Sequence, residues 1–399
     1  MTFKGHRYWL AVVFFLLASA PGFWFPVLTN VLKAYDLGGW KVAMFLVPPI
    51  ASMVSPLIFG AQVDRRFEAQ KVLGWIMISG AAFLYLAFHA MENNWGGGWV
   101  FALFLINGFI SAPAWSLLTT ITLSSLPDPG RSFGYFRVWG TIGWMIAGLL
   151  VSWGEIDTSA VTGKIAAGVR IIAAAACFLL PVTMPKGGVA KGWMDSLGFS
   201  AIRLLKDRDL LVYYGTALLF SIPLSAYYLH SPQHLQELGV EQVGAAMTPA
   251  QAMETFAMLA MGWVVARYRV KTILLVAIGA GVLRYAFYAV DSVQWLILGI
   301  TLHGICWTFF FEAGKVFVHR RVEEGMRTQA QALLVFFTGG VAGLVGVPIV
   351  EWIRVMISPH YGWTGYWLLL TGINVTAMSI FAIGYRGLQP ARDPNGYEG

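Results

Sequence analysis

Residues 131–154 read RSFGYFRVWGTIGWMIAGLLVSWG, an apolar run long enough to cross a bilayer that nevertheless holds Arg137 within it. At 3.6 residues per turn, Arg137, Thr141 and Trp144 share one face of a helix. Gly140 and Gly143 fall on another face, where a neighbouring helix can approach closely. One side therefore offers a cation, a hydroxyl and a broad aromatic surface, and another is built for packing. A charge at membrane depth costs roughly 2.5–3.5 kcal/mol on insertion scales. Two readings of Arg137 follow: it faces a water-filled pathway, or it snorkels toward the nearer membrane surface.

The rest of the chain favours the first. Of 399 residues, 57% are hydrophobic and 12% charged, with mean hydropathy +0.65. Soluble domains are about 25% charged, so this is a polytopic membrane protein. Apolar runs fall at about 8–32, 41–62, 71–90, 97–121, 133–154, 164–182, 210–231, 246–266, 271–291, 294–318, 328–350 and 362–385. Each matches the roughly 20 residues that a helix needs to span hydrocarbon. The expected fold is all-α, with twelve transmembrane helices. The start of the chain imitates a signal peptide, with Lys4, Arg7, an apolar run and Ala18-Ser19-Ala20. Pro21 follows at once and the run resumes, so 8–32 reads as a retained helix bent at Pro21 and Pro26.

The net charge of +7 points to topology rather than to nucleic acid. With the N-terminus in the cytoplasm, Lys33, Lys41, Lys164, Arg170 and Arg354 fall on the outer side. Arg137, Arg284 and Lys315 fall within spans, and the remaining Lys and Arg fall inside. That bias places both termini in the cytoplasm, and a bacterial inner membrane is the expected location. The long polar connection 183–209 divides an N-terminal half, 1–182, from a C-terminal half, 210–385, and 386–399 is a tail. Gly60-x-x-x-Asp64-Arg65-Arg66 after the second span is echoed by Gly262-x-x-x-Ala266-Arg267 after the eighth. The echo suggests two pseudo-symmetric halves.

Inside the spans, Glu254, Arg284 and His303 lie at nearly one depth. One reading makes them a proton site, with Glu254 taking the proton, Arg284 holding its ionised form, and His303 relaying protons or binding solute. The other is a structural ion pair between the eighth and ninth spans. Gln251 shares a face with Glu254 and suits hydroxyls or a base edge. Glu312 and Lys315 are spaced to pair, or Glu312 is a second coupling carboxylate. Asp64, Arg65 and Arg66 read as a loop latch between halves, or simply as topology determinants. Trp24, Asn107, Trp115, Thr119 and Thr120 supply polar and aromatic groups on the first and fourth spans. Neither Cys177 nor Cys306 has disulfide or metal-ligand spacing. No phosphate-binding loop or catalytic motif is present, so an ATPase or an intramembrane enzyme is not expected.

Twelve spans, the six-plus-six division and the 60–66 motif together resemble the major facilitator superfamily. Within it the chain is similar to the nucleoside:proton symporters. The residues that carry this are Arg137-Val-Trp-Gly-Thr-Ile-Gly143, Leu105-Ile-Asn107 with Pro113, Gln251-x-x-Glu254, Leu283-Arg284-Tyr-Ala, Val316-Phe-Val318, and Arg327 with Ala330-Gln331. It also resembles the lactose permease, which grips a sugar from an arginine–tryptophan face in its fifth helix. It departs from the nucleoside symporters at Thr308, where they carry an aspartate, and at 217–228, where their amides are missing.

The resemblance implies a monomeric proton symporter without cofactor, importing a nucleoside or related sugar-containing solute by alternating access. Arg137, Thr141, Trp144, Gln251, His303, Asn107 and Thr120 are then the expected solute-binding residues. Glu254, Arg284 and Glu312 are the expected proton-coupling residues. The alternatives are a sugar or aromatic-acid symporter and, from another class, a membrane sensor that moves no solute.

Overall fold

A computed structural model describes residues 3–183, 199–240, 243–323 and 326–387. Most of the linker 183–209 and of the tail 386–399 lies outside these residues. So do the side chains of Asp64 and Arg65, whose backbone forms the end of a helix, while Arg66 is exposed.

Twelve helices run through the described residues, and eight helical stretches among them are long and apolar enough to cross a membrane. α1 is Phe3–Trp24, continued after a turn by Leu28–Ala34. The turn sits at Pro26, whose missing N–H cannot extend the ladder. α2 is Lys41–Arg65, α3 Ala69–Glu92, α4 Gly97–Ser125, α5 Pro129–Trp153 and α6 Val161–Cys177. After a 3₁₀ segment, Phe199–Lys206, come α7, Arg208–Glu237, α8, Val243–Arg267, and α9, Val270–Tyr288. α10 is Val293–Arg321. α11 begins at Arg327 and α12 ends at Gly384, the two parted by a kink at Gly362, where φ is 59°. That left-handed conformation suits glycine, which has no Cβ to clash. A 25-residue helix such as α5 is about 37 Å long, enough to cross the ~30 Å hydrocarbon layer. Helices satisfy every backbone hydrogen bond internally, which a lipid-facing chain requires.

The outward faces are apolar: Trp75, Ile172, Val276, Trp352 and Leu368 are all exposed. Exposed apolar faces of this kind suit a bilayer rather than water. The inward faces build two cores in each half. One N-terminal core gathers Phe14, Leu73, Leu117, Phe133 and Cys177, and Met261 and Val316 of the other half join it.

The two halves meet most closely where α5 runs antiparallel to α8. A Cβ on Gly134 would collide with the Met258 carbonyl, and one on Gly262 would lie 2.5 Å from the Arg131 carbonyl. These contacts lie at the end of the bundle rich in Lys and Arg. Arg320 of α10 also reaches Asp128 there, at 3.4 Å. Asp128 caps α5 by accepting from the Arg131 N–H, with Pro129 in the first turn, which fixes where that helix begins.

Two local irregularities fall near the bundle's middle. α10 widens into a π-helix over Trp307–Glu312, and α11 does so over Phe336–Val341. Such π segments re-aim side chains and are frequent at functional sites.

Candidate functional site

The face of α5 picked out by the sequence points into the interface between halves. Gly143 lets α5 press on α1 so closely that a Cβ would strike the Phe15 carbonyl. This close crossing sets the helix rotation. Arg137 and Thr141 are then buried, and Trp144, about 10 Å further along the helix, stays half-exposed. Gly140 leaves room for the arginine itself, since a Cβ there would sit 2.9 Å from an Arg137 Nη1.

Arg137 is held by the other half. Its Nε lies 3.2 Å from Glu312 Oε1 of α10, and Nη2 lies 3.9 Å from Glu254 Oε1 of α8. The indole of Trp115, on α4, stacks on its guanidinium at 4.9 Å. The nearer ion pair lacks hydrogen-bond alignment, so Arg137 Nε donates to no protein group. Thr141 Oγ1 donates to Glu254 Oε1 at 2.6 Å, also across the interface. Lys315 Nζ donates to Glu312 Oε1 at 2.8 Å from one turn along α10. The cluster contains two cations and two carboxylates, which compensate one another far from water. Glu254 is placed by Gly304 of α10, where a Cβ would collide with the Glu254 backbone nitrogen.

Beside this cluster stands an aromatic wall. Phe25 of α1 meets Trp144 of α5 at 6.4 Å and Tyr228 of α7 at 6.3 Å. Tyr228 also edges onto His303 at 6.3 Å. It is 38% exposed despite lying between helices, so it lines an open interior space. Thr308 Oγ1, Glu312 Oε2, Thr120 Oγ1 and Trp24 Nε1 are buried and make no hydrogen bond to protein. Together with Arg137 Nε, which lies beside Glu312, they are polar atoms of the interior with hydrogen-bonding capacity to spare. Gln251 is half-buried one turn along α8 from Glu254.

Three expected site residues have other partners. Arg284 does not hold Glu254. Its Nη1 donates to His303 Nδ1 at 2.7 Å, its Nη2 donates to the Tyr285 hydroxyl, and its guanidinium lies 4.3 Å over the Tyr285 ring. The shared depth was read correctly, but α9 turns its arginine toward α10 and α7 rather than α8. His303 is engaged by that arginine. Arg284 can only donate, so Nδ1 is the acceptor and the ring proton sits on Nε2. The ring also stacks flat on Tyr227, 4.1 Å away with 4° between planes. Asn107 serves Arg170, whose Nη1 donates to Asn107 Oδ1 at 2.5 Å and to Ser111 Oγ at 2.9 Å. Arg170 itself is corrected: it is a buried residue within α6, not an outer-loop cation.

Sequence reasoning did not single out Tyr227 and Tyr228. They are consecutive, so a helix must turn them to different faces, which argues against a simple core pair. The placement of Lys315 in the cluster was signalled by its spacing from Glu312.

A family model described as "Nucleoside H+ symporter" matches residues 5–389. The putative nucleoside transporter YegT of Escherichia coli (strain K12) is 31% identical over 87% of this chain and 85% of its own. The nucleoside permease NupG of the same organism is 26% identical over 93% of this chain and 94% of its own. A crystal structure of nucleoside transporter NupG superposes with a TM-score of 0.72 at 23% identity, covering 97% of this chain and all of that one.

Proposed function

Because the chain belongs to the nucleoside H+ symporter family, we infer that it imports a nucleoside together with a proton. Its fold is the twelve-helix major facilitator fold, and it is a multi-pass membrane transporter, not an enzyme. Solute binds between the halves, facing Arg137 and Thr141, with its base or sugar ring against Trp144. Gln251 and Thr120 supply further hydrogen bonds. Glu254 carries the proton, which is the coupling ion, and no other cofactor takes part. The basic end of the bundle faces the cytoplasm, with both termini there. The six-helix halves rock about the central site, and Asp64, Arg65 and Arg66 contribute to the latch at the cytoplasmic end.

One observation carries this reading. The cation of the N-terminal half is neutralised by carboxylates of the C-terminal half, so protonation and the contact between halves are one event. Alternating access with proton coupling requires such a link.

The test is uptake of radiolabelled uridine, adenosine and lactose into proteoliposomes under an imposed proton gradient. Nucleoside is expected to accumulate, and a protonophore to abolish accumulation. Accumulation of lactose alone would replace the solute assignment. Nucleoside equilibration that ignores the gradient would remove the proton from the mechanism. Absence of flux for every solute would favour the sensor reading.

A further inference from the structure

We propose that Lys315 is a resident counter-cation that keeps Glu312 ionised throughout the transport cycle and so confines proton coupling to a single carboxyl, Glu254. The inference rests on the proton-coupled reading above and goes beyond it by assigning different fates to two carboxylates that share one arginine.

The argument sorts the contacts of each acid by whether they cross the interface. Glu254, on α8, is held by Thr141 at 2.6 Å and by Arg137 at 3.9 Å. Both belong to α5, in the other half. Glu312, on α10, is held by Arg137 at 3.2 Å and by Lys315 at 2.8 Å. Lys315 sits three residues along the same helix, so no motion of one half against the other separates that pair.

When α5 parts from α8 and α10, Glu254 loses both of its direct partners and keeps only the more distant field of Lys315. A buried carboxylate without a contacting cation is disfavoured, so a proton on Glu254 favours the parting of the halves. Glu312 loses Arg137 but keeps Lys315, and it can stay ionised.

Several features hold Lys315 in place. Gln331 of α11 donates from Nε2 to the Lys315 carbonyl at 2.8 Å, tying α10 to its neighbour within the same half. Gly314 packs against the Tyr213 ring of α7. The Glu312 side chain has no exposure at all, whereas Lys315 retains 17%. The charged and titratable groups around Glu312 are Arg137 from α5, Tyr213 from α7, Glu254 from α8, and Lys315 with, further along, His319 from α10. Gln331 from α11 is neutral. Of the two cations, only Lys315 moves with Glu312.

The decisive measurement is infrared spectroscopy of the purified full-length protein, following the protonated-carboxyl band on acidification. The wild type is expected to show one such group in the membrane interior, lost in Glu254→Gln. Lys315→Met is expected to add a second, lost again when Glu312→Gln is introduced, and absent from Lys315→Arg. In proteoliposomes with tritiated uridine, the proton-to-solute ratio of Lys315→Met is expected to rise by one, and Lys315→Arg to keep the wild-type ratio. A Lys315→Met protein with no second carboxyl band overturns the proposal. Should Lys315→Met fail to fold, Lys315→Met/Glu312→Gln removes both charges and is expected to restore folding and to show the Glu254 band alone. A double variant that still shows a second carboxyl band also overturns it. If the wild type moves no uridine while the infrared pattern holds, the solute reading fails and the assignment of Lys315 stands.

Discussion

Replacing Gly262 by alanine should open the basic end of the transporter. The added Cβ would lie 2.5 Å from the Arg131 carbonyl oxygen, 3.3 Å from its carbon and 3.5 Å from its Cα. A carbon–oxygen contact relaxes at about 3.3 Å, so α5 and α8 must separate there by about 0.8 Å. All three obstructing atoms are backbone, so no rotamer change relieves them. Overpacking of this kind costs about 2 kcal/mol, but only in the state where α5 and α8 touch. The equilibrium between access states should therefore shift ~30-fold toward the one open at this end. Spin labels on Phe67→Cys and Tyr268→Cys report the change, because both positions are exposed and lie at that end on opposite halves. The native thiols, Cys177 and Cys306, are buried. The long-distance population should grow in Gly262→Ala and stay unchanged in Gly148→Ala. The latter adds a methyl to α5 where nothing lies within 4 Å. An unchanged distance distribution in Gly262→Ala would refute the idea that this contact closes the basic end.

Three further outcomes are expected. Trp144→Ala should weaken nucleoside binding by about 1–3 kcal/mol, the typical worth of a stacked base, while Trp144→Tyr keeps most of it; equal affinities in calorimetry would end the stacking assignment. Asn107→Ala removes the acceptor of Arg170 and should lower thermal stability by about 1–3 kcal/mol with nucleoside affinity of the folded protein unchanged; a loss of affinity would return Asn107 to the solute site. Glu254→Gln should abolish accumulation against a gradient but retain counterflow exchange, and a variant that still concentrates solute would show that the proton resides elsewhere.

The fold was legible because a bilayer imposes few solutions: every long apolar run had to become a helix, and each expected span has its counterpart. The face of α5 was legible for the same reason, since helical periodicity fixes which of its residues lie together. Partners across helices were not. Glu254, Arg284 and His303 share a depth, but helix rotation decides contact, and rotation is set by close crossings such as Gly304 on α8 and Gly281 on Phe220. These depend on both partners at once, which one helix's pattern cannot contain. Arg170 was misplaced because counting basic residues locates loops, and a buried arginine satisfied by neutral Asn107 and Ser111 leaves no acidic signal. Arg137 needed an acid, and α4 supplies none. Glu312 approaches from the π segment of α10, where the register departs from the 3.6 period used to read the helix.

The proposed site also carries a sign for the coupling. There Arg137 is shared between two carboxylates and the solute proposed to reach the same guanidinium. A solute oxygen that draws Arg137 away leaves Glu254 with the Thr141 hydroxyl alone, which favours a proton on Glu254. A proton on Glu254 in turn releases Arg137 to the solute. Each ligand thus raises the affinity for the other, and by linkage the two effects are equal. That sign gives symport; an exchanger would need solute and proton to compete for one group. Nucleoside affinity should therefore tighten on acidification, by a factor in the usual range for coupled sites, about 5–150-fold. Calorimetric titration across the pH range checks it, with proton uptake read from buffers of different ionisation heat. Glu254→Gln, fixed in the neutral form, should bind at the acid-limit affinity at every pH and take up no proton. Binding that weakens on acidification in the wild type would reverse the sign and exclude symport through this cluster.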